Sequence, residues 1–148
     1  MILLDTNVLG RLTDAADPQF AVARRAVHLY LAQHERLIIV PQNLYEFWAV
    51  ATRTRGRPPI GQNGLGMSPG RARHWLNFFK RRFTLLPDRA DIYESWQNLV
   101  TTHDVKGSKS HDARLAAAML TYGIDRLLTF NVNHFKAFPI TTIDATLL

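Results

Sequence analysis

Met1-Ile2-Leu3-Leu4-Asp5-Thr6-Asn7-Val8-Leu9 opens the chain. Met1 to Leu4 is too short for a helix and runs into a polar triplet, so it reads as a buried strand with an acid at its carboxyl end. The spacing predicts a first helix from Thr6 to Leu12. Pro18 suits the first turn of a second helix, which carries Phe20, Val22, Ala23, Ala26, Val27, Tyr30 and Leu31 close to a 3.6-residue period. Leu37-Ile38-Ile39-Val40 is aliphatic, largely β-branched and closed by Pro41, which predicts a second strand. The next helix sets Leu44, Phe47, Trp48 and Ala51 on one face.

From Arg53 to Gly70, three prolines and five glycines mark a long loop. Ser68 caps the helix that follows, with Pro69 at its first position and Trp75, Leu76, Phe78 and Phe79 among Arg71, Arg73, Lys80, Arg81 and Arg82. Phe83 to Leu86 is a third strand, and Pro87-Asp88 opens a helix containing Ile92, Trp96, Leu99 and Val100. A polar loop from His103 to Ser110 leads into an alanine-rich helix that begins at Ser110 or His111 and ends near Gly123, a residue suited to a left-handed cap. Leu127 to Phe130 is a fourth strand, and Ile140 to Ile143 a fifth. Strands alternating with helices predict one α/β domain over residues 1–148, with a central parallel sheet of four to five strands flanked by helices.

The bulk properties agree. A chain of 148 residues can bury one proper core. Its 47% hydrophobic and 20% charged residues match a water-soluble globular protein. No apolar run spans a bilayer. The opening lacks a basic leader and meets an acid at once, so it does not read as a signal peptide; a cytoplasmic address is expected. The absence of cysteine excludes disulfides and thiolate metal sites. The net charge of +6 favours an anionic partner such as nucleic acid, against the plainer reading of a soluble basic protein.

Four oxygen-bearing side chains map to one edge of such a sheet. Ligands gather at the carboxyl ends of parallel strands. Asp5 follows the first strand and Asn131 the fourth. Glu46 lies early in the helix after the second strand, and Asp112 in the first turn of the alanine-rich helix. Two carboxylates about 4 Å apart repel by roughly 4 kcal/mol at an effective dielectric of 20. A divalent cation removes that cost, and an all-oxygen donor set selects magnesium or manganese. Such an ion polarises phosphodiester oxygens and activates water.

The same residues carry a resemblance. The opening nonapeptide resembles the start of PIN-domain ribonucleases, most closely the VapC-type toxins of toxin–antitoxin pairs. Asn43-Leu44-Tyr45-Glu46-Phe47-Trp48 is similar to the segment bearing that family's second acid. His111-Asp112-Ala113-Arg114-Leu115-Ala116-Ala117 resembles its third-acid helix. Leu128-Thr129-Phe130-Asn131-Val132-Asn133-His134-Phe135 resembles its final segment, where many members have Asp at the position of Asn131, and Asn63-Gly64-Leu65-Gly66 fits one branch of these toxins. The resemblance covers essentially the whole chain. It implies a Mg²⁺- or Mn²⁺-dependent endoribonuclease, inhibited by a small antitoxin and often a homodimer. It makes Asp5, Glu46, Asp112 and Asn131 the catalytic set, Asp5 and Asp112 the metal ligands, and Thr6, Asn7 and Thr129 their support. Asn131 departs from the pattern, because an amide oxygen ligates or orients water without adding charge.

Each feature has a plainer reading. Asp5 suits a helix N-cap; Glu46 and Asp112 suit the positive end of a helix dipole; Asn131 and Asn133 suit a turn, and Asn133 is taken as structural. His111 is taken as non-catalytic, and Asp125 and Asp144 as solvated. Arg53, Arg55, Arg57, Arg71 and Arg73 bracket the long loop and suit RNA phosphates or a solvated surface; Arg114 suits a phosphate or a neighbouring acid. Trp75, Phe78 and Phe79 have the spacing of a core or dimer face. Two rival functions stay in view. One is a PIN-like RNA- or protein-binding module that has lost activity. The other is an aspartyl-phosphate phosphatase, whose motif needs an acid where Asn7 stands.

Overall fold

The computed structural model describes residues 1–56 and 64–148. Among these, the strands are β1 (Ile2–Leu4), β2 (Leu37–Ile39), β3 (Thr84–Leu85), β4 (Arg126–Thr129) and β5 (Thr141–Asp144). The helices are α1 (Thr6–Arg11), α2 (Phe20–Ala32), α3 (Pro41–Thr52), α4 (Pro69–Arg82), α5 (Ala90–Thr102) and α6 (Lys109–Tyr122). The strands form one sheet in the order β3-β2-β1-β4-β5, and every pairing is parallel. The α/β class expected from the sequence is what the chain adopts, with five parallel strands where four to five were expected.

The pleat explains the burial. Ile2 and Leu4 of β1, with Leu37 and Ile39 of β2 and Leu128 of β4, belong to a core that includes Val8, Ala26, Tyr30, Phe47 and Phe79 from α1 to α4. The alternate residues Leu3, Ile38 and Leu127 belong to a second core with Ile92 and Leu99 of α5 and Leu115 and Met119 of α6. Successive strand side chains point to opposite faces, so each of these short strands feeds both layers. Ala113, Ala116, Ala117 and Met119 are wholly buried, which suits the alanine-rich α6 to close packing. Phe47 and Phe79 meet edge to face, with centroids 5.0 Å apart, a pairing that adds about 0.5–1.5 kcal/mol beyond the area buried.

Helix ends account for the differences from sequence expectation. Pro18 does not open α2. The Asp17 carboxylate accepts from the Gln19 N–H at 2.7 Å and its carbonyl accepts from Phe20, so a turn occupies Pro18 and α2 begins at Phe20. Pro87-Asp88 likewise precedes its helix: Leu86 N–H still bonds the Ile39 carbonyl, and Arg89 is extended at φ −126°, ψ 148°. Lys109, ahead of Ser110, opens α6. Trp48 leaves the buried face of α3 and is 36% exposed, whereas Phe47 and Ala51 are buried. The caps at Ser68, whose Oγ accepts from Arg71 N–H at 3.2 Å, and at Gly123, φ 64°, ψ 38°, stand as expected. No helix among the described residues is long and apolar enough to cross a membrane.

Candidate metal-binding cleft

Chain order builds the site. From β1 the chain moves outward through β2 to β3, then returns to the other side of β1 for β4 and β5. The order reverses between β1 and β4, and the carboxyl ends of strands at such a reversal border a crevice. Asp5 leaves β1 there and Asn131 leaves β4 there. A cleft of ≈ 830 Å³ opens at this point, lined by Asp5, Thr6, Asn7, Glu46, Asp112 and Asn131, with Arg53 and Arg55 also on its wall. The four side chains named from sequence thus share one cleft.

Asp5 occupies the N-cap position of α1 with extended backbone, but its side chain makes no cap hydrogen bond. Its Oδ2 instead accepts from Thr129 Oγ1 at 2.6 Å and from Asn7 Nδ2 at 2.7 Å. Thr129, wholly buried, also accepts from Asn7 Nδ2 and from the Asn131 N–H. One donor and two acceptor sites complete a hydroxyl, so Thr129 has no capacity left. Asn7 Oδ1 takes the Phe130 N–H at 3.3 Å. An aspartate at position 7, which an aspartyl-phosphate phosphatase would need, would lose both donations and set a second charge against Asp5.

Glu46 lies beyond the first turn of α3, which contains no acid, so the dipole does not account for it. Its Oε2 accepts from Thr6 Oγ1 at 2.8 Å and its Oε1 from Gln42 Nε2 at 2.7 Å. Asp112 is in the first turn of α6, half-buried, with Oδ2 3.7 Å from His134 Nδ1.

Burial and like charge govern the proton affinities. Burial raises the Asp5 pKa from its ordinary 3.8 to about 6; the Thr129 and Thr6 hydrogen bonds oppose the rise, and the charges of Glu46 and Asp112 add to it. The Asp112 carboxyl is also raised, mainly by burial, with Glu46 adding and His134 opposing. Among the described residues no three His, Asp or Glu side chains close into a ready-made cation cage. The donor chemistry nevertheless fits a hard divalent ion: three carboxylates and an amide line one cleft, and burial raises the proton affinity of two of them.

Several predicted contacts fall elsewhere. Arg71 and Arg73 are exposed on α4 and do not line the cleft. Arg114 takes the acid-pairing alternative, bonding Asp88 at 2.9 Å and Gln42 Oε1 at 3.1 Å. Arg57 and Asn63 lie outside the described residues. Asp125, its side chain 64% exposed, bonds the N-terminal amine at 2.8 Å, and Asp144 bonds Thr146 at the surface, so both are the solvated acids expected. His111 lines the cleft and contributes its carbonyl to Gln42.

The residues missed from sequence are amides. Gln42, 6% exposed, donates to Glu46 and to the His111 carbonyl at 2.8 Å, tying α3 to the start of α6. Its four-residue spacing from Glu46 was the available signal. Asn43, wholly buried, accepts from the Val40 N–H at 2.8 Å and donates to the Leu4 carbonyl at 3.0 Å. It ties the ends of β1 and β2 together directly beneath the acids, a link between distant segments that no local spacing discloses.

A doubly wound parallel sheet with a carboxylate-lined cleft at its reversal point defines a class of small α/β domains. Within that class the chain belongs to the PIN domain family, whose description matches residues 2–140. None of the curated proteins matches the chain. Its fold is similar to VapBC2 from Rickettsia felis bound to a DNA fragment from their promoter, at TM-score 0.72 and 17% identity over 97% of this chain and 98% of that one. It is similar to a toxin–antitoxin complex from Klebsiella pneumoniae, at TM-score 0.65 and 20% identity over 98% of each chain. It is also similar to Mycobacterium tuberculosis VapC20, a sarcin–ricin loop cleaving toxin, at TM-score 0.62 and 19% identity over 86% of this chain and 87% of that one.

Proposed function

We propose that this chain is a divalent-metal-dependent endoribonuclease and the toxin of a toxin–antitoxin pair. One observation carries the reading: Asp5, Glu46 and Asp112, from three separate elements, line a single cleft at the reversal point of the sheet. Asp5 and Asp112 would hold Mg²⁺ or Mn²⁺, with Glu46 and Asn131 beside them. The ion, when bound, supplies positive charge to the phosphodiester and activates water. The chain's own residues set the stage. Thr129 and Asn7 lock Asp5 Oδ2, and Thr6 and Gln42 hold both oxygens of Glu46. With its pKa about 6, Asp5 is mostly ionised at neutral pH and available as a ligand. A parallel in VapC20, a loop-cleaving toxin, and in the Klebsiella toxin–antitoxin complex supports an RNA substrate and a cognate antitoxin.

Expression of the chain alone is expected to arrest growth, with cleaved RNA accumulating, and Asp5→Ala to relieve both. Growth unaffected by high expression without an antitoxin would count against the toxin reading. Asn131, an exposed amide in place of a fourth acid, favours one second reading, a PIN-like binder of RNA; a parent that holds RNA and never cuts any RNA offered would select it.

A further inference from the structure

The cleft that would receive an RNA strand is strongly acidic. Asp14 and Asp17 line it along with Asp5, Glu46 and Asp112. A polyanion entering there meets repulsion unless fixed cations offset it. Three arginines lie on the same wall: Arg11, Arg53 and Arg55. Arg55 is already neutralised by Asp14 at 3.2 Å, and Arg53 is exposed, so its long side chain must be ordered on binding.

Arg11 differs from both. Its Nε donates to Gln19 Oε1 and its Nη1 to the Asn7 carbonyl at 3.1 Å. Its guanidinium carbon lies 4.3 Å from the centroid of the Phe130 ring. Among the described residues no carboxylate pairs with it. Two of the five guanidinium N–H groups are committed, and the rest remain for a ligand. The side chain is pre-positioned, so the ordering cost that usually weakens an arginine contact is largely absent. The fork suits the paired oxygens of a phosphate. The bond to the Asn7 carbonyl brings the guanidinium back one turn of α1 toward Asp5, and the Phe130 ring holds it beside the acids.

We infer that Arg11, stacked on Phe130, is a phosphate-binding residue that grips the RNA backbone beside the position of cleavage. This rests on the proposed ribonuclease reading but adds a residue that neither the sequence motifs nor the acids supply.

Counterion release tests it. A labelled single-stranded oligoribonucleotide is bound in chelator, so that no cutting occurs, and its affinity is measured by anisotropy across a salt series. Arg11→Gln is expected to weaken binding about tenfold or more, the usual weight of a hydrogen bond to a charged group, and to lower the log–log salt slope by about 0.7, one single-strand phosphate. Arg11→Lys should restore the slope while binding more weakly than the parent. Phe130→Leu should keep the slope and lose affinity. Arg81→Gln, exposed and outside the cleft, should leave the slope unchanged. An Arg11→Gln slope equal to the parent's, or an Arg81→Gln slope falling as far, overturns the assignment while leaving cleavage by the acids untouched. Poor folding of Arg11→Gln leaves Arg11→Lys and Phe130→Leu to decide: affinity equal to the parent's in both overturns it. A parent that binds no RNA overturns this inference and the ribonuclease reading together.

Discussion

Replacing Asp5 by asparagine should make the metal-free protein more stable at neutral pH, although it removes the central ligand of the proposed metal site. Burial and the neighbouring charges of Glu46 and Asp112 raise the Asp5 pKa from 3.8 to about 6 in the folded chain. The unfolded chain therefore ionises this group first. Below pH 3.8 both states carry the proton and the group contributes no difference. As pH rises through the window from 3.8 to about 6, the unfolded state loses its proton while the native state retains it, and stability falls. Across that window, at 1.36 kcal/mol for each pH unit, the cost reaches about 3 kcal/mol. Asparagine keeps one oxygen for the Thr129 and Asn7 donors and carries no charge to desolvate. Urea unfolding in chelator should show Asp5→Asn close to the parent at pH 4 and up to about 3 kcal/mol more stable at pH 7.5, or roughly 6–12 °C in Tm for a chain of this size. Comparing the two chains at each pH cancels the other titrating groups. Added Mn²⁺ should raise the parent's Tm at pH 7.5 and leave that of Asp5→Asn nearly unmoved. A variant less stable than the parent at pH 7.5, or a difference that does not change with pH, would refute the picture of a carboxylate held at an electrostatic cost.

Other outcomes follow from the same contacts. Asn43→Ala removes the side-chain partner of the Leu4 carbonyl and of the Val40 N–H, and should cost about 2–6 kcal/mol in urea unfolding at 1–3 kcal/mol for each orphaned group. Gln42→Leu frees one oxygen of Glu46 and unties α3 from α6; the Mn²⁺ concentration for half-maximal cleavage should rise several-fold, with the circular dichroism spectrum unchanged. Mn²⁺ affinity, measured by calorimetry, should fall towards tenfold per pH unit below about 6 as Asp5 retains its proton, and Thr129→Val, by removing the hydrogen bond that opposes the rise, should move that limb to higher pH. Asn131→Asp adds a charged donor to the cleft and should tighten Mn²⁺ binding.

The layout of the fold was legible because it rests on local signals. Apolar runs closed by Pro41 or by a polar triplet mark strands, and the order of those strands with helices fixes a parallel sheet. Helix starts were less legible at Pro18 and Pro87, where side-chain and backbone hydrogen bonds made a turn or an extended segment of residues that could equally begin a helix. The acids were legible because Asp5 stands at a strand end, Glu46 in the helix after a strand and Asp112 in the first turn of the helix that leads into β4. Their supports were not. Gln42 reaches the His111 carbonyl and Asn43 the Leu4 carbonyl across long stretches of chain, and Arg114 finds Asp88 and Gln42 rather than a free surface. Partners so distant are decided by packing. Trp48 left the buried face for a related reason: Phe47 already fills the space against Phe79.

The most direct measurement is RNA cleavage by the purified chain, followed by gel with Mn²⁺ or Mg²⁺ present or removed by chelator, in the parent, Asp5→Ala and Asp112→Ala. Cleavage by the parent that depends on the added ion, and its loss in both variants with their folds and RNA binding retained, is the expected result. Cutting that persists in chelator, or that survives in Asp5→Ala and Asp112→Ala at the parent's rate, would contradict a nuclease built on these acids.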